Sequence, residues 1–232
     1  MKSVRVFASR AVKFEAIDDL SVAASFDRIT QMPQYELILR LFTSKALVGQ
    51  KGGNALDIGC GGGRLVMKLA KSYPFSEVVG LDLSDEMLKL AMRRAASAGL
   101  SGRVKFSKGN AERIPFPDNS FDLVASTASL HHWSRPKKVF DEIARILRPG
   151  GKCAVADMRR DAVPPFVGFL WFVQHFVVPS ALRKAEEPLG SIQSSYTPEE
   201  ASELVLGSKL GAFCRVTGGP FWLIVKGRKP KR

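Results

Sequence analysis

The sequence predicts an α/β protein: a doubly wound sheet of five parallel strands, extended by an antiparallel hairpin, with helices on both faces. From residue 54 onward, short apolar runs alternate with longer amphipathic stretches, the pattern of a parallel sheet covered by helices. A glycine-rich turn at 59–63 follows the first run, where a doubly wound sheet binds its ligand. The last two β-like runs lie two or three residues apart across Gly218-Gly219, a spacing typical of a hairpin.

Each element has its own local signal. The parallel strands are predicted at short apolar runs: 54–58, 77–83, 104–107, 121–126 and 152–157. Helices are predicted at 64–72, 84–98 and 136–147, the last ended by a turn at 148–151, and the hairpin strands at 213–217 and 220–226. Ser84 predicts an N-cap and Gly99 the end of that helix. Thr197 and Glu200 predict a capping box that opens a further helix.

The chain is expected to form one domain over residues 1–232, because its length suits a single large core. A helical segment at about 20–48 precedes the sheet, and an insertion at about 158–195 follows strand five. Hydrophobic residues at 45% and charged residues at 25% exclude a disordered chain, a collagen-like fibre and a coiled-coil rod.

The cellular compartment is predicted from the absence of particular sequence features. Its three cysteines are widely spaced and form no CxxC pair, which argues against a disulfide scaffold or a cysteine zinc site. We find no signal peptide and no apolar run of transmembrane length. A cytoplasmic protein without a metal is therefore expected.

The net charge of +13 raises the question of an acidic partner. Five basic residues lie in the tail 226–232, which leaves +8 for the rest of the chain. Either the tail is solvated, or it contacts phosphate-rich partners or acidic lipid. Peripheral membrane contact therefore stays open, and charge alone does not predict nucleic-acid binding.

The strongest motif is the turn 57–63, with the sequence DIGCGGG. Glycines let the backbone turn tightly, and the following helix presents free N–H groups to a ligand. Asp82 ends the second strand 25 residues after Asp57, where a carboxylate can accept the two hydroxyls of a ribose. The two features together predict an adenosine-containing ligand.

The turn favours S-adenosylmethionine over NAD. A dinucleotide fingerprint needs a third glycine where Arg64 stands when counting from Gly59. Asp57 precedes the turn and would repel a pyrophosphate, but it suits a ligand with a cationic amino group.

The chain resembles the class I S-adenosylmethionine-dependent methyltransferases, in particular the type 11 proteins and the ubiquinone and menaquinone biosynthesis enzymes. The resemblance covers about residues 54–157 through five ordered strings: LDIGCGGG, VVGLDLSDEML, GNAERIPFPDNSFDLV, SLHHW and ILRPGG. It implies a Rossmann-like fold and a methyltransferase of small molecules with S-adenosylmethionine as cofactor. It does not identify the methyl acceptor, and the oligomeric state stays open.

The resemblance also implies roles for single residues. The cofactor-binding set is Asp57, Gly59, Cys60, Gly61, Asp82, Leu83, Met87, Asn110, Ala111 and Thr127. Asp57 and the glycines would line the methionine end, Asp82 the ribose, and Leu83 with Met87 the adenine; Met87 could equally be plain core. The family often has Asp where this chain has Asn110, whose amide oxygen can accept the same hydrogen bond.

Acceptor residues are predicted less directly. His131 is the candidate catalytic base and substrate contact, with a packing role as its alternative. Trp171, His175 and Tyr196 are further substrate candidates in or beside the insertion. Its aromatic run predicts a hydrophobic lid over an apolar acceptor; the alternative is a buried helix or a dimer contact.

Three other functions compete with this prediction. Nucleic-acid methylation is disfavoured because no proline follows strand four at 126–129 and no cysteine follows a proline. A non-catalytic protein that binds S-adenosylmethionine or S-adenosylhomocysteine stays open, since no base is certain from sequence. An NAD oxidoreductase stays open as well.

Overall fold

The structure, a computed structural model, describes residues 10, 20–31, 33–46, 50, 52–180, 183 and 187–231. Its helices are α1 Leu20–Thr30, α2 Pro33–Ala46, α3 Arg64–Ser72, α4 Asp85–Ser97, α5 Pro136–Ile146, α6 Pro164–Phe176, α7 Leu189–Ser194 and α8 Pro198–Leu206. Its strands are β1 Gly53–Ile58, β2 Phe75–Asp82, β3 Val104–Lys108, β4 Phe121–Thr127, β5 Leu147–Met158, β6 Cys214–Gly218 and β7 Trp222–Arg228. Short 3₁₀ turns occur at Leu130–His132 and Lys209–Ala212.

The strands form one seven-stranded sheet in the order β3-β2-β1-β4-β5-β7-β6. Strands β1 to β5 pair in parallel, whereas β7 runs antiparallel to both β5 and β6. The order reverses between β1 and β4, so a crevice opens beyond the carboxyl ends of these two strands. The doubly wound sheet with a terminal hairpin is thereby confirmed.

Alternation along the strands divides the apolar residues between two cores. In β1, Leu56 and Ile58 face the core shared with α5 and α8, whereas Ala55 faces the core shared with α2, α3 and α4. Because Asp57 follows the same alternation, its side chain lies on the face that α2 covers. Both cores are close-packed, with Phe140 and Leu69 fully buried on their respective sides.

Ion pairs hold α1 and α2 against the helices that cover the sheet. Asp27 of α1 lies 2.5 Å from the guanidinium of Arg94 on α4, which also donates to the carbonyl of Gly62. Glu36 of α2 lies 2.5 Å from Lys68 Nζ on α3. The predicted helical segment therefore exists as two helices over 20–30 and 33–46, while 47–49 lie outside the described residues.

Most of the helix and strand boundaries that local sequence signals predict lie within two residues of the boundaries in the structure. Ser84 accepts a hydrogen bond from Met87 N–H, Gly99 has φ +66°, and Thr197 with Glu200 forms the expected capping box. The prediction that 148–151 form only a turn is wrong. Strand β5 begins at Leu147, and its register with β4 shifts across this stretch, so residues 148–151 bulge and then return to the ladder.

Candidate functional site

The glycine turn after β1 is tied to the neighbouring strand. The backbone N–H groups of Gly59 and Cys60 both donate to the carbonyl of Leu81, at 2.8 and 3.0 Å. Gly59 has φ +66°, and a Cβ there would lie 2.1 Å from Ser129 Oγ, so only glycine fits. Gly61 has φ +50°, and a Cβ there would point into open space. The backbone therefore leaves room for a ligand beside Gly61.

Asp82 links this turn to the end of β2. One carboxylate oxygen accepts the Gly61 N–H at 2.7 Å, and the other accepts the Ser84 N–H at 2.9 Å. These two bonds orient the carboxylate beside the glycine turn, at the strand end where a carboxylate can accept from ribose hydroxyls.

A cavity of about 270 Å³ opens at this edge of the sheet. Helix α1 covers it through Phe26, and the turns after β2, β3 and β4 form its walls. Its lining includes seven of the ten predicted cofactor residues: Gly59, Gly61, Asp82, Leu83, Met87, Asn110 and Ala111. Asn110 Oδ1 accepts the Glu112 N–H at 2.8 Å, which fixes the amide at the rim of the cavity.

Asp57 lies on the side of β1 that α2 covers and does not line the cavity. It is 1% exposed, and its Oδ1 has no hydrogen-bond partner among the described residues. Burial raises the pKa of the Asp57 carboxyl well above its ordinary value, and the negative charge of Asp82 adds to that rise. A cationic donor at this point would satisfy the oxygen and reverse the rise in pKa.

Thr127 and Cys60, the other two predicted cofactor residues, lie outside the cavity lining. The side chain of Thr127 forms a hydrogen bond with the hydroxyl of Tyr35 on α2. Burial raises the pKa of that tyrosine. Cys60 packs its sulfur against Phe106 and Gly80 in the core on the α2 side. The thiol of Cys60 also donates to the Gly61 carbonyl at 3.7 Å, so the side chain supports the turn from the core side.

His131 follows β4 and is paired with Asp157 at the end of β5. His131 Nδ1 lies 2.9 Å from both carboxylate oxygens, and the His131 backbone N–H donates to the same carboxylate at 2.9 Å. Both side chains are buried, and His131 Nε2 has no hydrogen-bond partner in the described part of the chain. The flanking residues Ser129 and His132 line the cavity, whereas His131 does not.

The pKa of His131 reflects two opposed effects. Burial lowers it, but the charge and hydrogen bond of Asp157 raise it more, with Glu187 adding to the rise and Arg10 opposing it. The net pKa is above the ordinary histidine value. His131 is therefore a proton-binding group whose acid–base state depends on Asp157.

The three other substrate candidates do not converge on the cavity. Tyr196 is nearly buried, and the guanidinium of Arg10 lies 4.1 Å from its ring centroid. Trp171 and His175 stack on each other on the exposed side of α6. Their roles toward an acceptor stay predictions.

Sequence reasoning overlooked Asp157, Tyr35 and His132. Asp157 ends a predicted strand just as Asp82 does, so the same rule about acids at strand ends would have identified it. His132 was passed over for its neighbour because the sequence does not show which histidine of the pair faces the cavity. No sequence signal places Tyr35, because the docking of α2 over β1 and β4 is a tertiary feature.

The residues at this edge fit an adenosine-type cofactor with a cationic end. Space beside Gly61 and a carboxylate at Asp82 lie along one crevice at the switch point of the sheet, and the unsatisfied Asp57 oxygen is buried near the end of β1, outside the cavity lining. The fold and this site define a doubly wound protein that binds such a cofactor.

Comparisons with known proteins identify the family. Residues 56–155 match the family model described as a methyltransferase domain. The chain is 32% identical to a demethylmenaquinone methyltransferase of Geobacillus kaustophilus over 75% of its own length and 76% of the relative. It is 35% identical to a demethylmenaquinone methyltransferase of Listeria monocytogenes, over 62% of this chain and 61% of that protein. The second match thus spans less than two thirds of that relative.

A solved structure agrees on the fold. The structure of a Methanococcus maripaludis protein assigned to the S-adenosyl-L-methionine-dependent methyltransferases superposes with a TM-score of 0.70. It is 23% identical and covers 96% of this chain and 98% of that one. The chain belongs to the S-adenosylmethionine-dependent methyltransferases, and S-adenosylmethionine is its cofactor. The predicted family and cofactor are confirmed.

Proposed function

We propose that this methyltransferase acts on a small, apolar, ring-containing acceptor of the quinol type, with His131 as the base. The buried pair of His131 and Asp157 next to the cavity carries this proposal. The names of the Geobacillus and Listeria relatives, which refer to a demethylated menaquinone, support the acceptor class.

The cofactor would be held by residues from three strand ends. Asp57 would accept from its amino group, Gly59 and Gly61 would contact its methionine portion through bare backbone, and Asp82 would bind the ribose hydroxyls. When bound, S-adenosylmethionine supplies a methyl group on a cationic sulfur. The chain itself supplies alignment of the two reactants, which is the larger part of catalysis in such a displacement.

His131 would handle the proton that a phenolic or enolic ring loses when it is methylated. Asp157 holds the hydrogen on Nδ1, which leaves Nε2 as the basic atom. Nε2 has no partner of its own among the described residues, but it is buried behind the cavity wall, so an acceptor hydroxyl would bond to it only after that wall moves aside. The acceptor would thus lose one proton to Nε2 and gain one bond to the methyl carbon, while the bond from that carbon to sulfur would break and leave a neutral thioether.

The test is transfer of a labelled methyl group from S-adenosylmethionine. The acceptors are a prenylated dihydroxynaphthalene, an unprenylated one and total RNA, with calorimetry of S-adenosylhomocysteine and NAD alongside. Label in the prenylated ring supports the proposal. Label in RNA, or tight S-adenosylhomocysteine binding without transfer to either ring, contradicts it and favours the nucleic-acid or non-catalytic alternative.

A pair of neighbouring variants tests the base. His131→Gln should lower the rate of transfer about a hundredfold, the ordinary contribution of a general base, and leave the affinity for S-adenosylhomocysteine unchanged. His132→Gln, which changes a residue of the cavity wall, should affect affinity more than the rate. The reverse pattern would show that His131 is a packing residue.

A further inference from the structure

Helix α6 presents an aromatic surface that stays exposed among the described residues. Of the large apolar side chains that are exposed in the described residues, half lie between 163 and 177, including every exposed aromatic one. We call this set the aromatic patch: Phe169, Trp171, Phe172, Phe176 and Val177. Their exposed fractions run from 50% to 69%, far above the usual burial of such side chains.

The helix is anchored to the protein by its opposite side. Phe166 stacks on Phe221 with ring centroids 4.7 Å apart, and Val167 is buried. The buried Gln174 accepts the Leu189 N–H at 2.9 Å, which fixes the C-terminal half. The aromatic patch therefore belongs to a helix held in place, and its exposure is a property of the fold.

The chemistry of α6 fits a lipid surface. No Asp, Glu, Lys or Arg occurs between Asp161 and Arg183. A protein partner would normally find hydrogen-bonding groups around such a patch, whereas this one offers almost none. Helices that are apolar around most of their surface are buried in a core or in lipid.

The length of α6 and the charge around it determine how this helix would bind a membrane. Its 13 residues are too few for a span of about 20 residues, and no helix in the described ranges is long and apolar enough to cross a bilayer. Exposed Arg183 donates to the His175 carbonyl at 3.0 Å, so a positive charge lies beside the last turn. The net charge of +13 attracts the whole molecule to an anionic surface.

We propose that the aromatic patch docks this protein on the surface of an anionic lipid bilayer, with α6 lying in the interfacial layer. Aromatic side chains would enter the boundary between headgroups and acyl chains, and Arg183 would pair with lipid phosphate. Since α6 follows the carboxyl end of β5, the docked face adjoins the edge of the sheet that holds the cofactor cavity. An apolar acceptor dissolved in the bilayer would then lie close to the site.

The basic tail does not contribute to this face. Strand β7 runs antiparallel to β5, with Trp222 opposite Met158 and Arg228 opposite Lys152. The tail therefore leaves the sheet at the end opposite to α6. This geometry provides a control charge, Lys231, which is exposed and far from the aromatic patch.

The experiment is flotation of the full chain with vesicles of phosphatidylcholine and phosphatidylglycerol, and with vesicles of phosphatidylcholine alone. The protein should float with the mixed vesicles and bind the neutral ones less. Phe172→Glu with Phe176→Glu should abolish flotation, whereas Met92→Glu and Leu206→Glu, on α4 and α8, should not. Arg183→Gln should weaken binding about fivefold, the equivalent of roughly 1 kcal/mol per basic residue, and Lys231→Gln should leave it unchanged.

Two further measurements distinguish lipid from a second copy of the chain as the partner of the aromatic patch. Vesicles should shift the tryptophan emission of the protein to the blue, and Trp171→Phe should remove most of that shift, because Trp133 is buried in the core and Trp222 is half-buried against Phe221. Light scattering should give the same mass for the wild type and for the double glutamate variant. No flotation of the wild type, flotation of the double variant, or a wild-type dimer that the double variant breaks would overturn the proposal.

Discussion

Both carboxylate oxygens of Asp157 lie 2.9 Å from Nδ1 of His131, in a part of the protein that excludes water. The carboxylate also accepts the backbone N–H groups of His131 and Met158. These bonds fix the orientation of the imidazole and place its proton on Nδ1. Asp157 therefore sets both the tautomer and the pKa of His131.

Asp157→Asn should shift the pH dependence of methyl transfer. The pKa of His131 lies above its ordinary value because of Asp157, so the basic form of Nε2 develops only as the pH passes that raised pKa. Removal of the carboxylate lowers the pKa, and the acid limb of the pH–rate profile should move to lower pH while the maximal rate falls. The imidazole signals of the three histidines in a magnetic resonance titration report the pKa directly.

The matched control is Asp118→Asn, the same substitution at an exposed residue near the amino end of β4. It should alter neither the rate profile nor the His131 titration. An unchanged His131 pKa in Asp157→Asn would disprove the positioning role, even if activity fell.

The same pair predicts how stability depends on pH. The folded pKa of His131 is above its unfolded value of about 6.5, so the protonated pair stabilises the fold fully below the unfolded pKa. This contribution is lost as the pH rises through the folded pKa. The difference in melting temperature between wild type and Asp157→Asn should therefore be larger at pH 6 than at pH 9. A constant difference across this range would count against the ionic pairing.

The fold could be predicted from the sequence because the signals for its helices and strands are local. Ser84 and Thr197 form the caps that their spacing predicts, and Asp82 reaches the glycine turn because strand order in a doubly wound sheet places it there. Contacts between residues of different elements at the edge of the sheet could not be predicted in this way. The partner of Thr127 is Tyr35, 92 positions earlier in the chain, and only packing of α2 brings them together.

The insertion shows the same limit. Its aromatic run predicts a hydrophobic lid, with a buried helix or a dimer contact as the alternatives. The structure shows a helix with an exposed aromatic face, which argues against the buried helix, and the lid stays a prediction. Hydrophobicity alone cannot separate these outcomes, because an apolar helix is stable in a core, in an interface or in lipid. Which of them applies depends on how β7 and α7 pack beneath α6.

Asp57→Asn should stabilise the protein without cofactor and weaken cofactor binding. The buried Asp57 carboxyl has a pKa raised well above its ordinary value, so its ionisation opposes folding above the ordinary aspartate pKa of about 3.9. An amide removes that cost, and the apparent melting temperature should rise more at pH 8 than at pH 5. Loss of a charged hydrogen bond of about 1.5–3 kcal/mol should weaken S-adenosylhomocysteine binding at least tenfold.

Thermal unfolding checks the predicted gain in stability of Asp57→Asn, and calorimetry of the same samples checks its predicted loss of affinity. Asp118→Asn is the surface control. If Asp57→Asn bound S-adenosylhomocysteine as tightly as the wild type, the cofactor amino group would not lie at Asp57.

Gly61→Ala and Gly99→Ala form a second matched pair. Both glycines have a positive φ, and a Cβ at either position would meet nothing within 4 Å. Each substitution should therefore destabilise the protein by about 1–2 kcal/mol through backbone strain alone. Only Gly61 lines the cavity, so only Gly61→Ala should also reduce the affinity for S-adenosylhomocysteine. Equal affinities in the two variants would place the cofactor away from this turn.

Asp82→Asn tests the ribose end of the cavity. An asparagine retains one oxygen, but its amide nitrogen cannot accept the second of the two backbone N–H groups that Asp82 now binds. The turn should loosen, and affinity for S-adenosylhomocysteine should fall at least tenfold, since a charge-assisted bond of about 1.5 kcal/mol or more is lost. The control is Asp85→Asn, three residues later on α4, where the exposed carboxylate pairs with Lys108. Calorimetric titration of both variants decides the point, because an Asp82→Asn protein that binds like Asp85→Asn would remove the ribose from this strand end.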